Sequence, residues 1–288
     1  GYICGGYNGK TTRLADTWEY DIDNDWWTQR ADMPGTVRNA ATGFPVGNKG
    51  YITTGYNPDQ KYLADTWEYD PETNTWRQMD DFKGGARYYA LGFGIDNYGY
   101  VGTGYNDNYL KDFYRFDPTA AAGSQWTIVN GFGGQKRQGA TAFVIDGKAY
   151  VCGGQNNNSD VSDFWRFDPS AATPWTQLRD IANTSDDDYD DDYTSIVRSY
   201  GVSFVIDGKA YLTLGSTAGG SYYSNYWIYD PETDLWKGDD LTAFEGSTRI
   251  HAVCFSTGTR GIIATGGSGS SSYFDDTWEL KPYEYEEE

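Results

Sequence analysis

Trp18-Glu19-Tyr20-Asp21, Trp67-Glu68-Tyr69-Asp70, Tyr114-Arg115-Phe116-Asp117, Trp165-Arg166-Phe167-Asp168 and Trp227-Ile228-Tyr229-Asp230 are one pattern: aromatic, any residue, aromatic, Asp. A sixth, degenerate copy is Trp278-Glu279-Leu280-Lys281. The copies recur about every fifty residues, and a period of that length with this content marks one four-stranded blade per copy. Length alone suggests about two domains. The repeat overrides that prior and predicts a single domain over residues 1–288.

The cleanest copy begins at Arg137. Its first strand, A, reads Gly139-Ala-Thr-Ala-Phe-Val-Ile145, with small residues where strands crowd near an axis. Asp146-Gly147 then supplies a two-residue hairpin turn of the kind that takes positive φ. Strand B is Lys148-Ala-Tyr-Val-Cys-Gly-Gly154, followed by a polar loop from Gln155 to Val161. Strand C is Asp163-Phe-Trp-Arg-Phe-Asp168, and Pro169 ends it because proline cannot continue a central ladder. Strand D centres on Trp175-Thr-Gln-Leu178. Arg38, Arg87, Arg198 and Arg249 open other copies, and Trp27, Trp76, Trp126 and Trp236 mark their outer strands. The fold predicted is an all-β propeller of six blades.

These marks resemble the kelch motif. The resemblance rests on a Gly-Gly ending strand B (Gly5-Gly6, Gly153-Gly154, Gly266-Gly267), a Tyr/Phe-Asp in strand C and a Trp in strand D. Three copies depart from the doublet, as Gly55-Tyr56, Gly104-Tyr105 and Gly215-Ser216. The first copy starts at strand B and the sixth stops after strand C, so the first and last blades are expected to be incomplete. Two readings follow. Either the chain is a piece of a longer one whose upstream segment supplies both missing strands, or Tyr283-Glu-Tyr-Glu286 serves as a makeshift last strand.

Composition narrows the function classes. A net charge of −20 argues against nucleic acid and anionic membrane surfaces, which attract basic patches. No stretch approaches a membrane span, so direct insertion is not expected. Aromatics make up 17% of the chain, which suits short strands. Cys4, Cys152 and Cys254 are odd in number and read as small buried residues. No cofactor motif is present, and no metal-ligand spacing such as C-x-x-C.

Three features carry functional expectations. Up-and-down topology places the B–C loops on one face, and these loops are varied and rich in Tyr, Asn, Gly and Ser; Tyr7, Tyr56, Tyr105, Tyr222 and Tyr223 are the candidate contacts. Arg38, Arg87, Arg137, Arg198 and Arg249 each precede strand A on that same face. The kelch resemblance implies that such arginines bind acidic ligands at the channel mouth, with forked bonds to carboxylates. The alternative is structural, each arginine pairing with a strand-C aspartate such as Asp16, Asp65, Asp112 or Asp163. The third feature is Asp186-Asp-Asp-Tyr-Asp-Asp-Asp-Tyr193, read first as a solvated loop. Calcium at Asp186, Asp187, Asp188 and Asp190 is the sharper option, although the run lacks an EF-hand's Gly and distal Glu.

The chain has one histidine, His251, expected to line the channel. The central ring of galactose oxidase is similar, but its copper site needs two histidines, so that chemistry is excluded. The reading is a non-catalytic binding module for a glycan or an acidic polypeptide at an Arg- and Tyr-rich mouth. The alternative is a carbohydrate-active enzyme, of epimerase or mutarotase type, using His251 with the arginines. The composition is similar to that of secreted, periplasmic or surface-attached bacterial kelch proteins, and a monomer is expected.

Overall fold

The computed structural model describes residues 1–238 and 241–282. Blade 1 contains Tyr2–Tyr7, Arg13–Asp21 and Trp26–Arg30. Blade 2 runs Thr42–Val46, Lys49–Thr53, Thr66–Asp70 and Thr75–Met79. Blade 3 runs Leu91–Ile95, Tyr98–Gly102, Phe113–Phe116 and Trp126–Val129. Blade 4 runs Thr141–Ile145, Lys148–Cys152, Trp165–Phe167 and Trp175–Gln177. Blade 5 runs Val202–Ile206, Lys209–Thr213, Trp227–Asp230 and Leu235–Lys237. Blade 6 contains Val253–Ser256, Gly261–Ala264 and Thr277–Leu280. In each sheet the strands are hydrogen-bonded in sequence order, which is the up-and-down arrangement.

The fold is therefore a six-bladed β-propeller with three strands in each terminal blade among the described residues. The stretch 283–286, expected as a makeshift strand, lies outside the described residues. The chain gathers into two compact units: Gly1–Gly139 with Asp168–Trp175, and Ala140–Phe167 with Thr176 onward.

Local chemistry explains the blade. Asp146 and Gly147 sit at φ 49° and 69°, and Asp207 and Gly208 at 49° and 75°, as a tight A–B hairpin requires. The motif aromatics of strand C pack on the strand-D tryptophans: Tyr20 on Trp27, Tyr69 on Trp76, Phe116 on Trp126 and Tyr229 on Trp236 lie 4.7 to 5.1 Å apart. Three of the tyrosine hydroxyls then donate to the C–D turn, at Asp25, Asn74 and Asp234. Within the first unit, strand A of blade 3 lies so close to blade 2 that a Cβ on Gly94 would stand 2.1 Å from the Pro45 carbonyl oxygen. In the second unit, neighbouring A strands are joined sideways by Thr141 Oγ1 donating to Gly201 and Ser203 Oγ donating to Ala142.

Candidate functional site

The five arginines are interior groups. Arg38, Arg137, Arg198 and Arg249 are 0% exposed and Arg87 is 1% exposed. Arg38 makes a forked bond to Asp65 at 2.8 and 2.5 Å, and Arg87 makes one to Asp112 at 2.6 and 2.9 Å. Arg249 forks onto Asp276 in the same way. Each of these guanidiniums also donates to a strand-B carbonyl of its own blade: Thr54, Thr103 and Thr265 at 2.9 to 3.0 Å. The arginine's own carbonyl accepts from the glycine N–H of the blade before it. Gly6 to Arg38, Gly55 to Arg87, Gly104 to Arg137, Gly154 to Arg198 and Gly215 to Arg249 measure 2.8 to 3.0 Å. The arginine thus clasps two blades together. A guanidinium committed this way cannot also grip a ligand, so the expected cationic ring is replaced by a structural one.

Backbone geometry corrects the doublet as well. The paired left-handed residues are Gly5-Gly6, Thr54-Gly55, Thr103-Gly104, Gly153-Gly154, Leu214-Gly215 and Thr265-Gly266. The position that tolerates substitution is the first of the pair, where Thr54, Thr103, Leu214 and Thr265 take φ of 58° to 62°. The second is glycine in every copy, at φ of 86° to 126°, where L side chains are strained; a Cβ on Gly215 would also meet Ser199 O at 2.6 Å.

Arg198 differs from its relatives. Its forked partner is an amide, Asn225 Oδ1 at 3.1 Å, helped by the carbonyls of Leu214 and Ser195. Burial without a carboxylate lowers its pKa to about 10. Burial works against the ionised form of Asp65, but the bonds from Arg38 and Trp67 outweigh it and hold the carboxyl below its usual range.

Above the clasps lies a second tier of backbone bridges. In blade 2, Asn39 pairs with Tyr56 and Tyr56 with Tyr62; in blade 3, Tyr88 pairs with Tyr105 and Tyr105 with Tyr109. This tier sets six tyrosines side by side in the first unit. Tyr62 and Tyr88 stack at 5.5 Å with planes 11° apart. Tyr56 lies 5.7 Å from Tyr88, Tyr105 lies 5.8 Å from it, and Tyr89 lies 4.7 Å from it. Tyr109 closes on Tyr105 at 5.0 Å. Arg13 covers Tyr7 at 4.2 Å and donates to Asn39 Oδ1 at 2.8 Å. Every one of these rings is half-buried. Burial and the bond to Asp107 push Tyr62 up to about 12, so its hydroxyl stays a donor.

Tyr7, Tyr56 and Tyr105 are half-buried rings of this group. Tyr223 does not act as a loop contact: it lies 4.7 Å over the Arg198 guanidinium, and its N–H bonds to Gly215 O as Leu63 does to Gly55 O. Tyr222 accepts from the N–H of Gly269 at 2.9 Å. Sequence reasoning missed Tyr62, Tyr88, Tyr89 and Tyr109. The signal was available in the residues just after each clasp arginine and just before each Leu63-like position.

In the second unit the same tier is built from Ser199, Ser216 and Tyr222 in blade 5, and Ile250, Gly267 and Tyr273 in blade 6. Two residues after each arginine the backbone turns left-handed, at Tyr200 (φ 58°) and His251 (φ 59°). The two rings meet edge-on at 4.5 Å, and Gln155 Nε2 donates to the Tyr200 hydroxyl at 2.7 Å. His251 is exposed, with its ring packed edge-on against Tyr200. Crowding lowers its pKa to about 4, so it is neutral at pH 7.

The aspartate run is partly anchored. Asp190 turns inward and accepts from the N–H groups of Thr184 and Ser185 and from the Ser185 hydroxyl. Tyr193 is 4% exposed and its hydroxyl accepts from Trp236 N. Among the described residues no group of three or more His, Cys, Asp or Glu is arranged to hold a metal ion, so the calcium reading of Asp186, Asp187, Asp188 and Asp190 finds no cage. Burial pushes the thiols of Cys4 and Cys254 up to about 11, which fits inert packing.

A sequence model of the Kelch motif matches residues 2–34, 45–83 and 136–178. Together with the six blades, these matches support a kelch-repeat β-propeller. The solved structure of YjhT is similar to it, with a TM-score of 0.76 and 15% identity, covering 97% of this chain and 91% of that one. At that identity the likeness speaks for the fold alone. No curated protein matches the chain in sequence. The propeller fold is consistent with a non-catalytic binding role, and no helix among the described residues is long and apolar enough to cross a membrane.

Proposed function

We propose that this chain is a non-catalytic binding protein that holds a glycan on the tyrosine face of its first three blades. The carrying observation is the stack of Tyr62 on Tyr88 with Tyr56, Tyr89, Tyr105 and Tyr109 around it. Tyrosine offers a flat apolar face and a polar tip at little cost in side-chain freedom. A sugar ring presents the matching pair, a face of C–H groups and a rim of hydroxyls. Asn39, bridged to Tyr56, and Asn106, next to Tyr105, add half-buried amide groups. An acidic polypeptide fits less well. Its expected arginine partners are buried, and the chain's net charge of −20 repels it.

The test is a glycan and peptide array, followed by calorimetry on the hits with Tyr62→Ala and Tyr88→Ala. Glycan binding that weakens at least about tenfold in either variant supports the proposal. Capture of acidic peptides alone, or glycan binding indifferent to both tyrosines, overturns it.

One observation favours the carbohydrate-active alternative: the neutral His251 ring packed edge-on against Tyr200. The clasp arginines it would have used are committed elsewhere, so only the imidazole is left to move a proton. Exchange spectroscopy on free sugars decides it. Interconversion above the buffer rate that His251→Gln abolishes would establish it, and buffer-level rates would end it.

A further inference from the structure

A cavity of about 550 Å³ opens beside Tyr62 in the first unit. The tyrosine therefore belongs both to the stacked face and to the cavity wall. Trp67 lies across from it, and the polar groups of Asp65, Asp81, Gln60 and Gln78 edge the space. Gly35, Ala64 and Ala86 are small residues of the lining, beside Pro34, Thr36 and Leu63. A Cβ on Gly35 would stand 2.5 Å from Trp67 Nε1, so only glycine lets the loop lie against the indole.

The repeat differs locally in the loop beside this space. The loops before Arg87, Arg137 and Arg249 carry Phe82, Phe132 and Phe244, whose rings lie 4.9, 5.5 and 5.3 Å from those guanidiniums. The loop before Arg38 carries Met33 at that place, and Met33 is 2% exposed, turned into the core.

Its chemistry is specific. Arg38 neutralises Asp65, yet the Asp65 side chain keeps 20% of its surface exposed, leaving carboxylate lone pairs to accept new bonds. Trp67 Nε1 donates to Asp65 Oδ2 at 2.6 Å and fixes both groups. The side-chain amides of Gln60 and Gln78 each offer a donor and an acceptor. The wall thus combines an aromatic surface with a paired carboxylate and two amides. That set suits a hydroxyl-rich, uncharged ring lying in an open depression.

We propose that this cavity is a second subsite for the same glycan, seating a neighbouring sugar residue against Trp67 with Tyr62 shared between the two positions. The proposal rests on the glycan reading of the tyrosine face, and the test separates them. The protein is labelled with ¹⁵N-tryptophan, and the indole resonances of its 11 tryptophans are recorded. Trp67 is assigned by its loss in Trp67→Phe. Cello-, xylo-, manno- and malto-oligosaccharides of one to six residues are then titrated in.

The expected result is a saturable shift of the Trp67 resonance with chains of two or more residues. The exposed double variant Gln78→Ala/Asp81→Ala should weaken those chains by about fivefold or more while leaving the monosaccharide unchanged. If oligosaccharides bind and respond to Tyr88→Ala, but the Trp67 resonance stays still and the double variant binds normally, the subsite is wrong and the glycan reading stands. If no sugar binds, by calorimetry or by any indole shift, both fall.

Discussion

After the clasp arginine of blade 3 stands Tyr88, and after that of blade 5 stands Ser199. Both residues make the same backbone bridge, to Tyr105 and to Ser216. The framework beneath them is the same: a buried arginine, a left-handed pair ending in glycine, and a polar partner at the start of strand C. The first unit covers this framework with tyrosines. The second covers it largely with serine, glycine and isoleucine, leaving Tyr200 and His251 accessible from their left-handed positions. Identical backbone positions carrying different side chains separate what holds the blades from what meets a ligand.

The largest effect should come from breaking a clasp. Asp112→Ala leaves Arg87, 1% exposed, without its carboxylate, and an unpaired buried charge costs about 3 kcal/mol or more. Chemical denaturation should show that loss. A change under about 1 kcal/mol would place the arginine's worth in its carbonyl bonds alone.

The repeat made the blades legible because aromatic-any-aromatic-Asp does the same job in each: two rings fill the sheet interface and the Asp caps the following turn, as Asp70 Oδ1 does for the N–H of Glu72. The turn pairs Asp146-Gly147 and Asp207-Gly208 were legible for the same local reason. The arginines were visible but ambiguous, since recurrence before strand A fits a ligand ring as well as a clasp, and only burial decides. The doublet was read one residue late in four copies, because Tyr56, Tyr105, Ser216 and Gly267 follow the essential glycine rather than complete the pair. Tyr62 and Tyr88 were missed because they meet across blades, and a contact spanning 26 residues leaves no local spacing to read.

Exchanging face residues tests whether the tier above the clasp is independent of it. Tyr88→Ser gives blade 3 the residue of blade 5. Glycan binding should fall by more than about tenfold, while stability drops by only ~1 kcal/mol for the lost ring contacts. A collapse in melting temperature would instead make the tyrosines framework. A smaller gain is expected from Asn225→Asp, which gives Arg198 the carboxylate its relatives have. A charged acceptor in place of an amide should stabilise by ~1 kcal/mol. No gain would mean that Ser195, now receiving the Asn225 amide at 2.7 Å, loses as much as the ion pair contributes.

The smallest effect concerns the positions two residues past the arginines, which hold Ala40, Tyr89 and Gly139 in the first unit and Tyr200 and His251 in the second. His251 has a folded pKa of about 4 against an ordinary value of 6.5. A depressed value means the fold favours the neutral ring. Its contribution is therefore complete above pH 6.5 and is lost as pH falls through 4, because the unfolded chain takes up the proton first. Asp65 and Asp276 are also held below their ordinary carboxyl range, so their contributions fade at still lower pH. Both are common to the wild type and to His251→Gln, so the difference between the two stability curves isolates the imidazole. Since His251 retains contact with solvent, the difference should reach only ~1 kcal/mol, accumulating between pH 6.5 and 4. Parallel curves over that interval would show that solvent reaches the ring freely. Tyr200→Ala, which removes the ring 4.5 Å away, should bring the two curves together.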